Sequence, residues 1–238
     1  MTGRIAGVLR LIGTILVVFL AMAVLRQLPV VGVFFQIPLL GFFLAAIVVG
    51  LVAERLGTMR RRRVGFQRAQ RELGAVDTPR NRGKLGSLLL SQGRHRAAIG
   101  HLRAAARGEP EVAEWAYRLG CALLGAGQVQ DAAGALGAAV ELDSNHAYGV
   151  PRLRRAEALT VCGHHEEALE ELGRFERDYG PSPESAYRRG QALRRAGRKR
   201  EARDAFAEVG GLASAAVRYQ KNEARLFVLR ALVARTLC

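Results

Sequence analysis

Residues 119–145 read LGCALLGAGQVQDAAGALGAAVELDSN, and this stretch decides the fold. Leu119, Gly120 and Leu123 lead to a loop glycine, Gly127; five residues on comes Ala132, and four beyond that Leu136. The same spacing returns on both sides. Gly93, Gly163 and Gly197 are followed by Ala98, Ala168 and Ala202, and these by Leu102, Leu172 and Phe206. The alanines at 98, 132, 168 and 202 stand 34, 36 and 34 residues apart. A fixed period of this size means stacked supersecondary units, each unable to bury its apolar face without a neighbour.

The residue types explain the spacing. Gly86, Gly120, Ala156 and Gly190 are small enough to let two helices approach, and the repeated alanines do the same on the second helix. The loop glycines suit a short inter-helix turn, where a positive φ costs glycine little. The large side chains four residues after each alanine are expected to fill the space between units. β-Branched residues are scarce after position 55 and alternating apolar/polar runs are absent, so this part reads as all-α.

These positions together, with Leu85, Leu89, Ala105, Pro110, Ala139, Leu159, Phe175, Leu193 and Val209, resemble the tetratricopeptide repeat (TPR), in which each unit is an antiparallel helix pair. The resemblance covers residues 79–210 and implies a four-unit α-solenoid. It also implies that the inner face of each first helix takes up a partner peptide. Carried over by register, the candidate groove is Ser87 and Leu90; Tyr117, Cys121 and Leu124; Glu157 and Thr160; Tyr187, Gln191, Arg194 and Arg195. The lysine–asparagine clamp that some members of the family use on chaperone tails is not matched, because Gly83 and Ser87 stand at its positions. Arg194 and Arg195, with Arg188 and Arg189 a turn before them, suit an acidic or carboxylate-bearing protein segment.

Three departures stand out. Trp115 falls one position before the usual aromatic, and Arg155 and Arg189 replace the leucines at 85 and 119. Pro151 and two inserted residues precede the third unit, whose first helix is expected to start late. Beyond the array, Gly210-Gly211 is expected to end the last unit, and Leu212–Leu237 to form a capping helix with a basic outer face. A membrane-surface helix is the alternative reading of that tail.

The N-terminal part is different in composition. Leu28 to Ala53 contains no charged residue, longer than the roughly 20 residues a helix needs to cross a bilayer. The preceding run between Arg10 and Arg26 is shorter and reaches a usable span only if Arg10 snorkels from one turn inside. Together they are expected to form a transmembrane helical hairpin over residues 1–55, followed by a basic juxtamembrane linker over 56–78, the repeats over 79–210 and the cap over 211–238. Arg60, Arg61, Arg62 and Arg63 flank the second span. By the positive-inside rule they place the repeats in the cytoplasm, in a multi-pass protein of a bacterial inner membrane. A cleaved signal peptide ending near Ala21-Met22-Ala23 is a competing reading of the first segment.

The net charge of +15 is nearly all arginine and gathers beside the apolar region and at both ends of the array. No aromatic residues interleave with it, which argues against nucleic acid as the partner. Three cysteines without CxxC spacing imply no disulfide framework and fit a reducing compartment. Cys162-Gly163-His164-His165 has the residue types of a metal site but falls on an inter-helix turn, so no metal or other cofactor is expected. The chain shows no phosphate loop, zinc-protease motif or nucleophile elbow and no catalytic residues are assigned, so it reads as a non-enzymatic scaffold. The alternatives are a structural subunit assembled through the hairpin, or a lipid- or RNA-binding adaptor using its basic ends.

Overall fold

Short turns divide the described chain, residues 38–215 and 221–236 of the computed structural model, into helices. The chain divides into two units, residues 1–69 and 70–238.

The first described helix is α1 (Pro38–Ala75). The segment read as a linker from 56 is therefore helical as far as Ala75, and Arg60–Arg63 lie within that helix. Ile47, Leu51, Val52, Leu56 and Val64 are exposed along it. Among the described residues no helix is long and apolar enough to cross a membrane. The first expected span, and the second up to position 37, lie outside the described residues, so the hairpin gains no support from the structure.

The second unit is the repeat array. Its pairs are α2 (Pro79–Ser91) with α3 (His95–Gly108), α4 (Ala113–Gly125) with α5 (Val129–Leu142), α6 (Val150–Cys162) with α7 (His165–Tyr179), and α8 (Pro183–Arg195) with α9 (Lys199–Ala215). A last helix, α10 (Lys221–Thr236), follows. The helix starts are written locally. Thr78 accepts a hydrogen bond from the backbone N–H of Asn81, with Pro79 just inside the helix. Ser182 and Ser185 form a reciprocal capping box ahead of α8. The inter-helix turns carry Gly93, Gly127, Gly163 and Gly197 at φ of 70°, 83°, 90° and 81°, a region where any side chain would strain the backbone.

Packing within a pair rests on contact between a glycine and a large side chain. A Cβ on Gly86, Gly120 or Gly190 would lie 2.5, 2.4 and 2.5 Å from Leu102, Leu136 and Phe206 respectively. These large residues thus fill the seam inside their own pair, where the sequence reading had placed them between pairs. The four repeat alanines, Ala98, Ala132, Ala168 and Ala202, are completely buried. Pairs join through other contacts. Gly83 on α2 receives the ring of Trp115 on α4, whose indole N–H donates to Glu109 Oε2 at 2.6 Å.

The 36-residue step has a structural counterpart. First helices begin at 79, 113, 150 and 183, so α6 starts 37 residues after α4 where α4 starts 34 after α2. The extra length is taken up by a 3-10 turn, His146–Gly149, in which Ala147, Tyr148 and Gly149 all have positive φ (48°, 56° and 73°). Tyr179 braces this turn from α7: its hydroxyl donates to Asn145 Oδ1 at 2.7 Å and its ring covers Gly149. Pro151 then sits in the first turn of α6, where its missing N–H costs nothing.

At the C-terminal end one expectation fails. Gly210-Gly211 does not end α9, which continues to Ala215. Each glycine weakens a helix by about 1 kcal/mol relative to alanine. That cost is outweighed by the packing of Phe206 and Val209 with Ala231, Ala234 and Phe227 of α10, which caps the array.

Candidate functional site

The first helices α4, α6 and α8 line one side of the array, and two recesses open there. One, of about 480 Å³, is bounded by Arg154, Glu157, Thr160 and Val161 from α6, by Glu184, Tyr187, Arg188, Gln191 and Arg195 from α8, and by Leu226, Phe227 and Arg230 from α10. The other, of about 350 Å³, is lined by Leu90, His95, Tyr117, Cys121, Leu124 and Gly125 together with Arg154 and Glu157. Arg154 and Glu157 border both, so the two recesses lie side by side along a trough whose lining runs from Leu90 on α2 to Arg230 on α10.

Of the groove residues chosen by register, Leu90, Tyr117, Cys121 and Leu124 share the smaller recess with Glu157. Thr160, Tyr187, Gln191 and Arg195 share the larger one with it. Ser87 and Arg194 border neither. The hydroxyl of Ser87 donates to the Gly83 carbonyl at 2.8 Å, and Arg194 Nη2 donates to Gln191 Oε1 at 3.2 Å. Thr160 similarly donates to its own helix, at Ala156 O, 2.7 Å. Tyr187 is as much a packing residue as a lining one. Its ring lies 5.8 Å from that of Phe206 and 5.7 Å from that of Phe227, and its hydroxyl oxygen accepts from Gln191 Nε2 at 2.6 Å.

The charges of the trough differ from the sequence expectation in an instructive way. Arg188, 8 % exposed, is held between Glu157 (2.7 Å) and Glu184 (2.6 Å), and Glu157 also meets Arg154 at 3.2 Å. Arg189 is paired with Glu176 at 2.8 Å and with Glu208. Neither arginine is available to an acidic ligand, because each is already neutralised by two carboxylates, at least one of them from another helix. Burial opposes the charge of Arg154, yet Glu184 and Glu157 outweigh it and raise its pKa. What remains is Arg195, which reaches only the Thr160 carbonyl, at 3.4 Å, and Arg230 on the cap. Among the described residues neither has a carboxylate partner. Arg230 went unnoticed in the sequence; its only signal there was the basic character of the tail.

The other end of the trough is less charged. Burial pushes the Tyr117 phenol up to about 12, with a further contribution from the neighbouring Cys121. Burial likewise pushes the Cys121 thiol up, so it is a poor nucleophile at neutral pH. The cluster at the third turn takes structural roles. Gly163 is the left-handed cap of α6, His164 opens α7 and lies 3.1 Å from Glu167, and His165 is its first residue.

Comparison with known proteins gives one family and a set of folds. A family model described as tetratricopeptide repeat matches residues 84–147 and 153–216, more than half of the chain. The gap between the two matches, 148–152, takes in the end of the left-handed turn and the start of α6. Among solved structures, MamA from Desulfovibrio magneticus (its residues 41 to the end) is similar at a TM-score of 0.50 and 18 % identity, over 68 % of this chain and 97 % of that one. A thermophilic TPR protein from Thermus thermophilus gives 0.54 and 17 %, over 76 % and 96 %. TPR-like repeats of a putative kinesin light chain from Podospora anserina give 0.57 and 15 %, over 68 % and 92 %. At these identities the likeness is one of fold. No curated protein matches the chain.

Proposed function

Because the chain belongs to the tetratricopeptide repeat family, we propose that it is a protein-interaction scaffold whose trough takes an acidic or carboxylate-bearing segment of a partner protein. One observation carries the reading of the ligand. The trough neutralises its own floor, through Arg154, Glu157, Arg188 and Glu184, and presents Arg195 and Arg230 at one end without carboxylate partners among the described residues. A ligand carboxylate placed between them would gain charge-assisted hydrogen bonds without first breaking an internal pair. Beside them Val161, Leu226, Phe227 and Tyr187 offer apolar surface, so the favoured segment alternates acidic and apolar side chains.

The same proposal places the scaffold at a membrane. Its support is in the sequence, where an uncharged run from Leu28 to Ala53 is followed by the arginines at 60–63, and in the exposed apolar residues along α1. In this reading the repeats face the cytoplasm and recruit a soluble partner to the bilayer.

The test is a selection of peptides displayed against the intact protein. Acidic-apolar sequences should be enriched, and Arg195→Glu/Arg230→Glu should abolish their binding while Arg203→Glu, on the exposed side of α9, leaves it unchanged. Enrichment of basic peptides, or equal binding by the two variants, would contradict the assignment.

A further inference from the structure

The last helix is built the opposite way to the rest of the array. In α10 the fully buried side chains are all alanines, Ala224, Ala231 and Ala234, with Phe227 and Val228 partly buried beside them. The large aliphatic ones point out: Leu226, Leu229, Leu232 and Val233 are 48, 63, 56 and 64 % exposed. Positions 226, 229 and 233 fall on one line at about 3.6 residues per turn, with 232 beside it. Arg230 borders this stripe on the side of the trough, Arg235 on the other side, and Arg225 stands within it; all three are exposed. Among the described residues none of these arginines pairs with a carboxylate. A cap whose only task was to end the solenoid would carry a polar outer face.

We propose that the outer face of α10 lies on an anionic membrane surface, with Leu226, Leu229, Leu232 and Val233 entering the interface and the arginines at 225, 230 and 235 reaching the headgroups. The occupant follows from the chemistry of the stripe. An apolar line edged by arginines, which extend their aliphatic stems along it and keep their guanidinium groups at headgroup level, matches a lipid interface. A protein hydrophobic groove would not need cations on both edges, and a second copy of the same face would set like charges against each other. The arginines add attraction to anionic lipid that falls off within a Debye length. Seating of this helix would also bring Arg230, shared with the trough, close to the bilayer. Arg230 and Leu226 are common to the trough and this face, whereas Leu229, Leu232 and Val233 lie outside the recess and report on the membrane alone.

The experiment uses the full chain with its cysteines replaced by serine and a single Leu229→Cys carrying an environment-sensitive fluorophore. It is mixed with nanodiscs of phosphatidylglycerol or of phosphatidylcholine. The expected result is a blue shift and a rise in emission with the anionic nanodiscs alone, quenched by brominated lipid and reduced at about 0.5 M salt, where the Debye length contracts to about 4 Å. Arg225→Gln/Arg230→Gln/Arg235→Gln should return the emission to its phosphatidylcholine level. The same label at Arg203→Cys, on α9, should not respond. Equal emission at position 229 with both lipids would overturn the proposal. So would a blue shift without lipid that grows with protein concentration, since that would mean a second copy covers the face.

Discussion

The first two helix pairs and the last two close the same seam with different chemistry. In α2 and α4 the first-helix position is a buried leucine, Leu85 or Leu119. In α6 and α8 it is arginine. Arg155 donates to the buried carboxylate of Glu171 at 3.0 Å, with Arg152 and Arg174 both 3.5 Å from the same carboxylate, and Arg189 bridges Glu176 and Glu208. The rest of the pattern, glycine turn, buried alanine and large residue, is common to both halves. The repeat therefore fixes the distance between helices, and either an aliphatic side chain or a compensated ion pair can occupy the space.

The sharpest way to break the comparison is to remove one partner. Glu171→Ala strands the buried ends of Arg152 and Arg155 and should cost about 3–5 kcal/mol, read as a fall in the urea midpoint. Adding Arg155→Leu gives the third pair the leucine and alanine that the second has at Leu119 and Ala135. That double variant should recover about 1 kcal/mol or more of the loss, a coupling typical of groups in contact. A double variant no more stable than the single one would mean the two halves are not interchangeable.

A smaller effect tests what the halves share. Gly120→Ala puts a Cβ 2.4 Å from Leu136 and should destabilise by about 1–3 kcal/mol. Gly134→Ala, on the open side of α5 with nothing within 4 Å, should stabilise by up to about 1 kcal/mol. Thermal unfolding of the two variants checks the contrast.

The smallest effect is a titration. Folding raises the Tyr117 phenol to about 12, against about 10 for an unfolded chain. Its contribution to stability is whole below pH 10 and is lost as pH rises from there toward 12. Absorbance at 295 nm should show a tyrosine ionising late, and Tyr117→Phe should remove that phase. Loss of the phase in Tyr187→Phe instead would misplace the buried phenol.

The period, the turn glycines and the buried alanines were legible in the sequence, because each is a local demand of the backbone or of close helix approach. Gly120 announces a tight seam, although not which residue fills it. What stayed hidden depends on facing residues far apart in the chain. Arg189 read as a free cation because its carboxylates, Glu176 and Glu208, come from other helices, and so does Glu157, which joins Glu184 of the same helix in holding Arg188. Gly210-Gly211 read as a stop because the packing of α9 on α10 has no sequence signature. The inverted polarity of α10 was equally invisible, since its leucines and arginines share one outer face and the sequence pattern alone does not say which side is buried.

The central claim is that the trough of first helices is the surface that meets a partner. A photo-crosslinking residue placed at Gln191, on the trough, and separately at Ala138, exposed on α5, tests it most directly when an acidic-apolar peptide from the selection is added. Adducts at 191 and none at 138, with those at 191 lost in Arg195→Glu/Arg230→Glu, are the predicted result. Adducts at 138, or equal yields at the two positions, would contradict it.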